Sequence, residues 1–274
     1  MIDLHLHTNY SDGRATPAEA VLLARERGLT AISITDHDTF AALDEALALA
    51  DEELEIISGI ELSCQHDNSD IHMLAYFADH HFKPLADKVI FYSDERLKRG
   101  RAIVEKLNEL GIDLRLDTVM DLSEVGTVGR LHVADALVKE EFVHTVDEAF
   151  NRYLGYHAPA YVAKAYFDPE QAIELVHQAG GIAVMAHPGT VRRDEVIPGL
   201  VEMGLDGIEV YHAKHSPTLV RHYKKIAAKH GLTVTGGSDW HGRNDHRSEI
   251  GSQKVPDSIL HDMREYLAKR QSRP

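Results

Sequence analysis

The chain opens on strict alternation. In "MIDLHLH", Ile2, Leu4 and Leu6 fall on one face of an extended strand, and Asp3, His5 and His7 fall on the other. The period then changes. "TPAEAVLLARERG" carries Thr16 and Glu19 at capping-box spacing, Pro17 at the first helical position and Gly28 just past the end, which predicts a helix. "TAISITDHD" predicts a second strand and "TFAALDEALALADEE" a second helix. "LEIISGIELSC" and "DIHMLAYF" predict two more strands. This rhythm points to parallel strands with helices outside.

Near Pro84 the rhythm stops. From there to about residue 160 only helix signals occur, in "PLADKVIFYSDERLKRGRAIVEKLNELG", "RLHVADALVKEE" and "TVDEAFNRYLG". This predicts a helical insertion over 85–159 that covers the active site, set in a domain made of 1–84 and 160–274. The alternation resumes with "DPEQAIELVHQAGG", a helix capped by Asp168, Pro169 and Gln171. "IAVMAHPG", "DGIEVYH" and "LTVTGGSDWH" follow as strands, with helices at "DEVIPGLVEMG", "SPTLVRHYKKIAAKHG" and "DSILHDMREYLAKR". About seven strand–helix units predict an α/β barrel rather than an open sheet. In such a barrel, chemistry sits at the C-terminal ends of the strands.

The polar residues gather at those ends. The first strand finishes in His5 and His7, with Asp12 in the following loop. "TDHD" brings His37, "GIELS" brings Glu61 and "AHPG" brings His187. "GGSDWH" brings Asp239 and His241, two apart and so on one face. His72 is a mild misfit, near the beginning of its strand. Two histidines at i and i+2 can reach one ion, at ~2.0–2.1 Å each for zinc. Six histidines and three acids at strand mouths need partners if buried. Divalent metals supply them, and mixed imidazole and carboxylate sets suit zinc, manganese or iron.

Composition sharpens this picture. Of 274 residues, 43% are apolar, enough for a sizeable core. No run reaches the ~18–20 apolar residues that span a bilayer. No basic stretch precedes an apolar one at the start, and Cys64 is the single cysteine, so a reduced cytoplasmic setting is expected. The net charge of −15 argues against a broad grip on duplex DNA, though not against a small phosphorylated substrate. Histidine is abundant at 19. Nine of these, His66, His80, His81, His144, His177, His222, His230, His246 and His261, read as surface residues. Arg96, Arg99 and Arg101 read as a solvated helix face, Trp240 as packing outward from the mouth, and Cys64 as core or rim. Glu209, Tyr211 and Asp36 read as partners that orient ligand histidines.

Taken together, "DLHLHTNYSDG", "SITDHDT", "GIELS", "IHMLAYF", "MAHPG" and "GSDWHG" resemble the PHP (polymerase and histidinol phosphatase) family of metal-dependent phosphoesterases. The motifs span residues 3 to 242 in the family's order. The resemblance implies a distorted seven-stranded (β/α) barrel, the PHP fold, with two or three metal ions at its mouth. It implies His5, His7, Glu61 and Asp239 for one ion. Glu61 would bridge to a second with His72 and His187. Asp12, His37 and His241 would hold a third.

Between residues 84 and 160 the chain differs from histidinol phosphatases and polymerase-linked domains. "ERLKRGRAIVEKLNELG", "GRLHVADALV" and "YHAPAYVAKAYFDPEQAIELVHQAGGIAVMAHPG" resemble bacterial phosphatases of 3′,5′-nucleoside bisphosphates, whose relatives trim short RNA from its 5′ end. By that resemblance Arg130, His132 and Lys164 hold substrate phosphate. Arginine offers a fork to phosphate and lysine a point charge. Arg130 also opens a predicted helix, whose first amides favour an anion. Water activated by the metals is the expected nucleophile, and His215 or His132 the expected proton donor. The expected substrate is a 3′,5′-nucleoside bisphosphate such as 3′-phospho-AMP, or short RNA. The alternatives are a phosphatase for another small ester such as histidinol phosphate, a metal-sensing module without catalysis, and a polymerase-associated domain.

Overall fold

The computed structural model describes residues 1–123, 126–243 and 248–272. Seven strands form one sheet in chain order: β1 (Ile2–Leu6), β2 (Ala31–Ile34), β3 (Glu55–His66), β4 (Ser69–Tyr76), β5 (Ile182–Met185), β6 (Gly207–Tyr211) and β7 (Thr233–Gly236). The sheet curls until the chain beyond β7 meets β1. There Leu6 bridges Trp240 in parallel, and His7 N–H donates to the Trp240 carbonyl at 2.8 Å. The result is a distorted (β/α) barrel.

The expectation of uniformly parallel strands needs one correction. β4 runs antiparallel to both β3 and β5. β3 and β4 form a hairpin closed by Asp67 and Asn68, both at positive φ (46° and 59°). Those angles match the two-residue turn that follows the right-handed twist of paired strands. Reversal puts the beginning of β4 at the mouth. His72 pairs with Ser63, two residues beyond Glu61, so its early position in the strand is what the topology requires.

The helices are α1 (Pro17–Glu26), α2 (Leu43–Leu47), α3 (Lys83–Glu109), α4 (Leu116–Ser123), α5 (Arg130–Lys139), α6 (Val146–Ala149), α7 (Pro169–Gln178), α8 (Pro188–Val191), α9 (Ile197–Glu202), α10 (Pro217–His230) and α11 (Ser258–Gln271). α6 continues into a π turn, Phe150–Leu154. The capping box on α1 forms: Thr16 Oγ1 accepts from Glu19 N–H at 3.2 Å, and Glu19 accepts from Thr16 N–H at 2.8 Å. Asp168 caps α7 through Gln171 N–H at 3.0 Å. The second helix is much shorter than its pattern suggested.

Ile57, Leu74, Tyr76, Ile182 and Val184 form a buried cluster with Ile2 and Leu4, against which α11 packs through Ile259, Leu260 and Met263. Tyr76 crosses the interior, since its hydroxyl donates to the Leu4 carbonyl at 2.8 Å although β4 and β1 are not neighbours. α3 begins against the barrel through Leu85 and Val89. It ends in a separate cluster, where Ile103, Val104 and Leu107 meet Val119, Val133, Leu137 and Leu154. This second cluster gives the helical segment an apolar core of its own. No helix among the described residues is long and apolar enough to cross a membrane.

Candidate metal centre

β1 delivers His5 and His7 to the mouth, both fully buried. Glu61 arrives from β3 and Asp239 from the loop after β7. The four side chains place ligand atoms within 4.8 Å of one another. His5 Nε2 lies 3.1 Å from His7 Nε2, 3.2 Å from Glu61 Oε2 and 3.5 Å from Asp239 Oδ1. His7 Nε2 lies 3.1 Å from Glu61 Oε2 and 3.3 Å from Asp239 Oδ1. Ligands at ~2.0–2.1 Å around a tetrahedral ion stand about 3.3 Å apart. The spacing therefore fits a metal ion at the middle.

Two further groupings surround this one. His72 Nδ1 and His187 Nε2 approach the other Glu61 oxygen, Oε1, at 2.8 and 2.9 Å. His37, Glu61 and His72 converge as a set, and so do His7, Asp12, His37 and His241. The second set differs from the expected one, since His37 joins Glu61 and His72, while His187 meets Glu61 through Nε2 and Thr190 Oγ1 through Nδ1 at 3.0 Å. The third gains His7. Asp12 Oδ1 and His37 Nδ1 are buried without a well-aligned hydrogen bond among the described residues, although His241 Nε2 and Glu61 Oε2 respectively lie 3.2 Å away. Such atoms cost free energy unless something binds them, and a cation does so.

Charge points the same way. Burial would neutralise Asp12, Glu61 and Asp239, yet the surrounding imidazoles hold all three well below the usual carboxylate range. Burial also depresses His7, but hydrogen bonds to Asp239 and Glu61 outweigh it and lift His7 to about 10. The cluster demands positive charge. Protons and metal ions are the alternative ways to supply it.

Partners fix the candidate ligands. Glu209 Oε1 lies 3.0 Å from His5 Nδ1, and its Oε2 accepts from His187 N–H at 2.8 Å. Asp36 accepts from Thr8 N–H, Thr8 Oγ1 and Ser11 Oγ at 2.5–2.7 Å, fastening the loop that carries Asp12. Tyr211 makes no comparable contact among the described residues; its ring lies 4.9 Å from Lys224 Nζ. Trp240 packs with Leu6, Ile34 and Ala20, and Cys64 is fully buried.

Sequence reasoning missed His212, fully buried, whose Nε2 lies 3.2 Å from Asp239 Oδ2. It follows β6 directly, so strand phase gave no signal. Arg96 is a correction: it is not solvated. Its Nε donates to Asp38 at 2.5 Å and its Nη2 to Ser63 Oγ at 2.9 Å, both within the barrel wall. Asp38 also takes Ser63 N–H at 2.7 Å, and so anchors β3. Asp38, His187 and Asp239 all adopt left-handed backbone (φ 51°, 26° and 56°), strain that gathers at the mouth. Arg99 is half-buried and donates to the Val162 carbonyl, while Arg101 is exposed as expected.

Among the expected surface histidines, His81, His144, His222 and His261 are exposed, while His66, His80, His177 and His230 are half-buried. His177 pairs with the buried Asp206 at 2.7 Å. His246 lies outside the described residues.

Arg130 donates to the Leu154 carbonyl at 3.3 Å and lies 5.6 Å from the Phe150 ring. Lys164 is half-buried, 5.4 Å from the Tyr166 ring, with no hydrogen bond or ion pair among the described residues. His132 is buried, and its Nδ1 accepts from Gly129 N–H at 3.1 Å, leaving Nε2 to carry the proton. His215 differs from the expectation of a proton donor. Its Nδ1 donates to the Val210 carbonyl at 2.9 Å and its Nε2 accepts from Gly189 N–H at 3.1 Å, so both nitrogens are occupied by backbone.

Residues 3–179 match the PHP domain family. The chain belongs to that family. A 5′-3′ exoribonuclease Rnm of Salmonella typhimurium is 32% identical, over 87% of this chain and 84% of its own. A 3′,5′-nucleoside bisphosphate phosphatase of Chromobacterium violaceum is 30% identical over 100% of this chain and 98% of its own. A phosphoribosyl 1,2-cyclic phosphate 1,2-diphosphodiesterase of Eggerthella lenta is 29% identical over 91% and 97%. A structure from Bifidobacterium adolescentis assigned as a metal-dependent phosphoesterase superposes with a TM-score of 0.88 at 32% identity, covering 97% of this chain and 96% of that one. This PHP protein is a metal-dependent phosphoesterase.

Proposed function

We propose that this PHP protein removes the 3′-phosphate from 3′,5′-nucleoside bisphosphates such as 3′-phospho-AMP. By the same chemistry it trims short 5′-phosphorylated RNA from the 5′ end. His5, His7, Asp12, His37, Glu61, His72, His187, Asp239 and His241 would hold two or three divalent ions of manganese, zinc or iron. Such ions lower the pKa of water and neutralise phosphoryl charge.

The observation that carries the substrate reading is a second cationic group beside the cluster. Burial first, then Arg130 and Arg96, lower Arg99 to about 10. Burial first, then Arg96, lower Lys164 to about 8, with Arg99 adding to the effect. These cations stand close enough to repel one another, and a bound phosphate relieves that repulsion. A substrate with one phosphate at the metals and another on Arg130 and Lys164 matches the arrangement. His132, with its proton on Nε2, would face the leaving oxygen.

The test compares 3′-phospho-AMP with an aryl phosphate. Hydrogen bonds to a charged partner contribute about 1.5–3 kcal/mol, so Arg130→Ala should lower kcat/KM on 3′-phospho-AMP by roughly 10- to 150-fold. The aryl phosphate should lose far less. Equal losses would remove Arg130 from the phosphate site. A wild-type preference for histidinol phosphate, or for the cyclic ester that names the Eggerthella relative, would overturn the substrate.

A further inference from the structure

A third set of cations borders the cluster at Asp12, Asp239 and His241, and the phosphate reading leaves it unused. One cavity, about 470 Å³, is bordered by Asp12 and His132 and by Arg14, Lys139 and Arg243. A second, about 200 Å³, is bordered by Asp239 and His241 and by Lys214 and Arg243. Arg243 belongs to both walls. The larger cavity falls within the ~300–1,000 Å³ that ligand pockets show.

Arg243 is held, not loose. Its Nη1 and Nη2 donate to the two oxygens of Asp135 on α5 at 3.2 and 2.7 Å. Its Nε is buried without a hydrogen bond among the described residues. Asp135 also takes Arg14 at 3.4 Å, so the acid on this wall is committed to two arginines. Lys214 is exposed at the wall of the smaller cavity. Asp121, at the rim of the larger cavity, is exposed. In a chain of net charge −15, cations gathered at two openings beside candidate ligands need a reason.

We propose that Arg243, with Lys214 and Arg14, forms the subsite for the nucleotide on the 3′ side of the cleaved linkage. This rests on the phosphoesterase acting on nucleotides as proposed above. Arg130 and Lys164 take the 5′-phosphate. Arg243 and its neighbours take the next backbone phosphate, in the cavities bordered by Asp12, Asp239 and His241. The two cationic groups give the strand a direction across the mouth. A mononucleoside bisphosphate fills only the first, so the second distinguishes RNA from a free nucleotide.

The experiment measures kcat/KM for 3′-phospho-AMP and for a 5′-phosphorylated trinucleotide, in wild type, Lys214→Ala and Arg243→Ala. The expected result is a fall of about 10-fold in the trinucleotide to bisphosphate ratio for each variant. The salt dependence of the trinucleotide reaction should also flatten by about 0.7 per lost phosphate contact. Lys214 is exposed, so its substitution tests the subsite without disturbing the fold. An unchanged ratio in Lys214→Ala and Arg243→Ala overturns the subsite. An equal loss on both substrates in Arg243→Ala, with no effect of Lys214→Ala, assigns Arg243 to bracing α5 through Asp135 and also overturns it. Failure of the wild type on both substrates would instead sink the underlying substrate reading.

Discussion

Glu61 is the residue on which the centre turns, because its two oxygens face five imidazoles at 2.8–3.2 Å. Glu61→Ala should therefore abolish activity on every phosphate ester alike, by more than ~100-fold, with metal content by mass spectrometry falling in parallel. Glu209 touches no substrate in this arrangement; it positions His5 and His187. Glu209→Gln keeps the shape but cannot accept at both oxygens. It should weaken metal affinity by about 10–100-fold, read by competition with a chelating dye. Lys164 sets a pH limit. With its ammonium at about 8, the charge is present below that pH and lost above it. KM for 3′-phospho-AMP should rise as pH passes about 8, and Lys164→Arg should remove that limb. The same depression means that the unfolded chain binds more protons between about 8 and the ordinary 10.5. Lys164 thus adds stability as pH rises through that window.

At the scale of elements, the β3–β4 hairpin and α3 decide the geometry. Asp38 is pushed up by burial and pulled further down by Arg96, ending well below the usual carboxylate range. Its contribution to stability is present above pH ~3.8 and lost as pH falls through the depressed value. Removing one partner of a buried pair costs about 3–5 kcal/mol. Arg96→Met should show that loss in urea unfolding at pH 7, and the Asp38→Asn, Arg96→Met double variant should recover part of it. The turn at Asp67 and Asn68 was legible in principle, since two such residues between alternating strands signal a hairpin. Its consequence, that His72 reaches the mouth from the beginning of its strand, depends on β4 pairing with β5 as well. Backbone approach matters equally at Gly237, where an added Cβ would sit 2.4 Å from the His5 backbone nitrogen.

Across the whole molecule, the mouth is a concentration of opposed charges drawn from β1, β2, β3, β4, β5 and the loop after β7. Ions that bind only the folded state raise its stability, by about 2.7 kcal/mol at a hundredfold excess over Kd. For a chain of this size, chelation should lower Tm by roughly 5–10 °C. Calorimetry with and without a chelator, followed by readdition of manganese or zinc, measures this. A chain whose Tm ignored the chelator would not depend on ions for its mouth.

Eight of the nine candidate ligands were visible in the sequence as short-range features at strand ends, and His72 was the misfit that only the antiparallel pairing of β4 explains. Strand alternation puts His5 and His7 on one face, and the mouth positions of a barrel collect the rest. The capping box of α1, the Asp168 cap of α7, the break near Pro84 and the inward phase of Glu61 were visible for the same reason. What tertiary structure alone decided lies in long-range pairs: Arg96 against Asp38, His212 against Asp239, Arg243 against Asp135. Each joins residues between 27 and 108 positions apart. Local pattern registers the period of an element and the face of a side chain. Which face meets which is set by packing, and that appears only once the chain has folded.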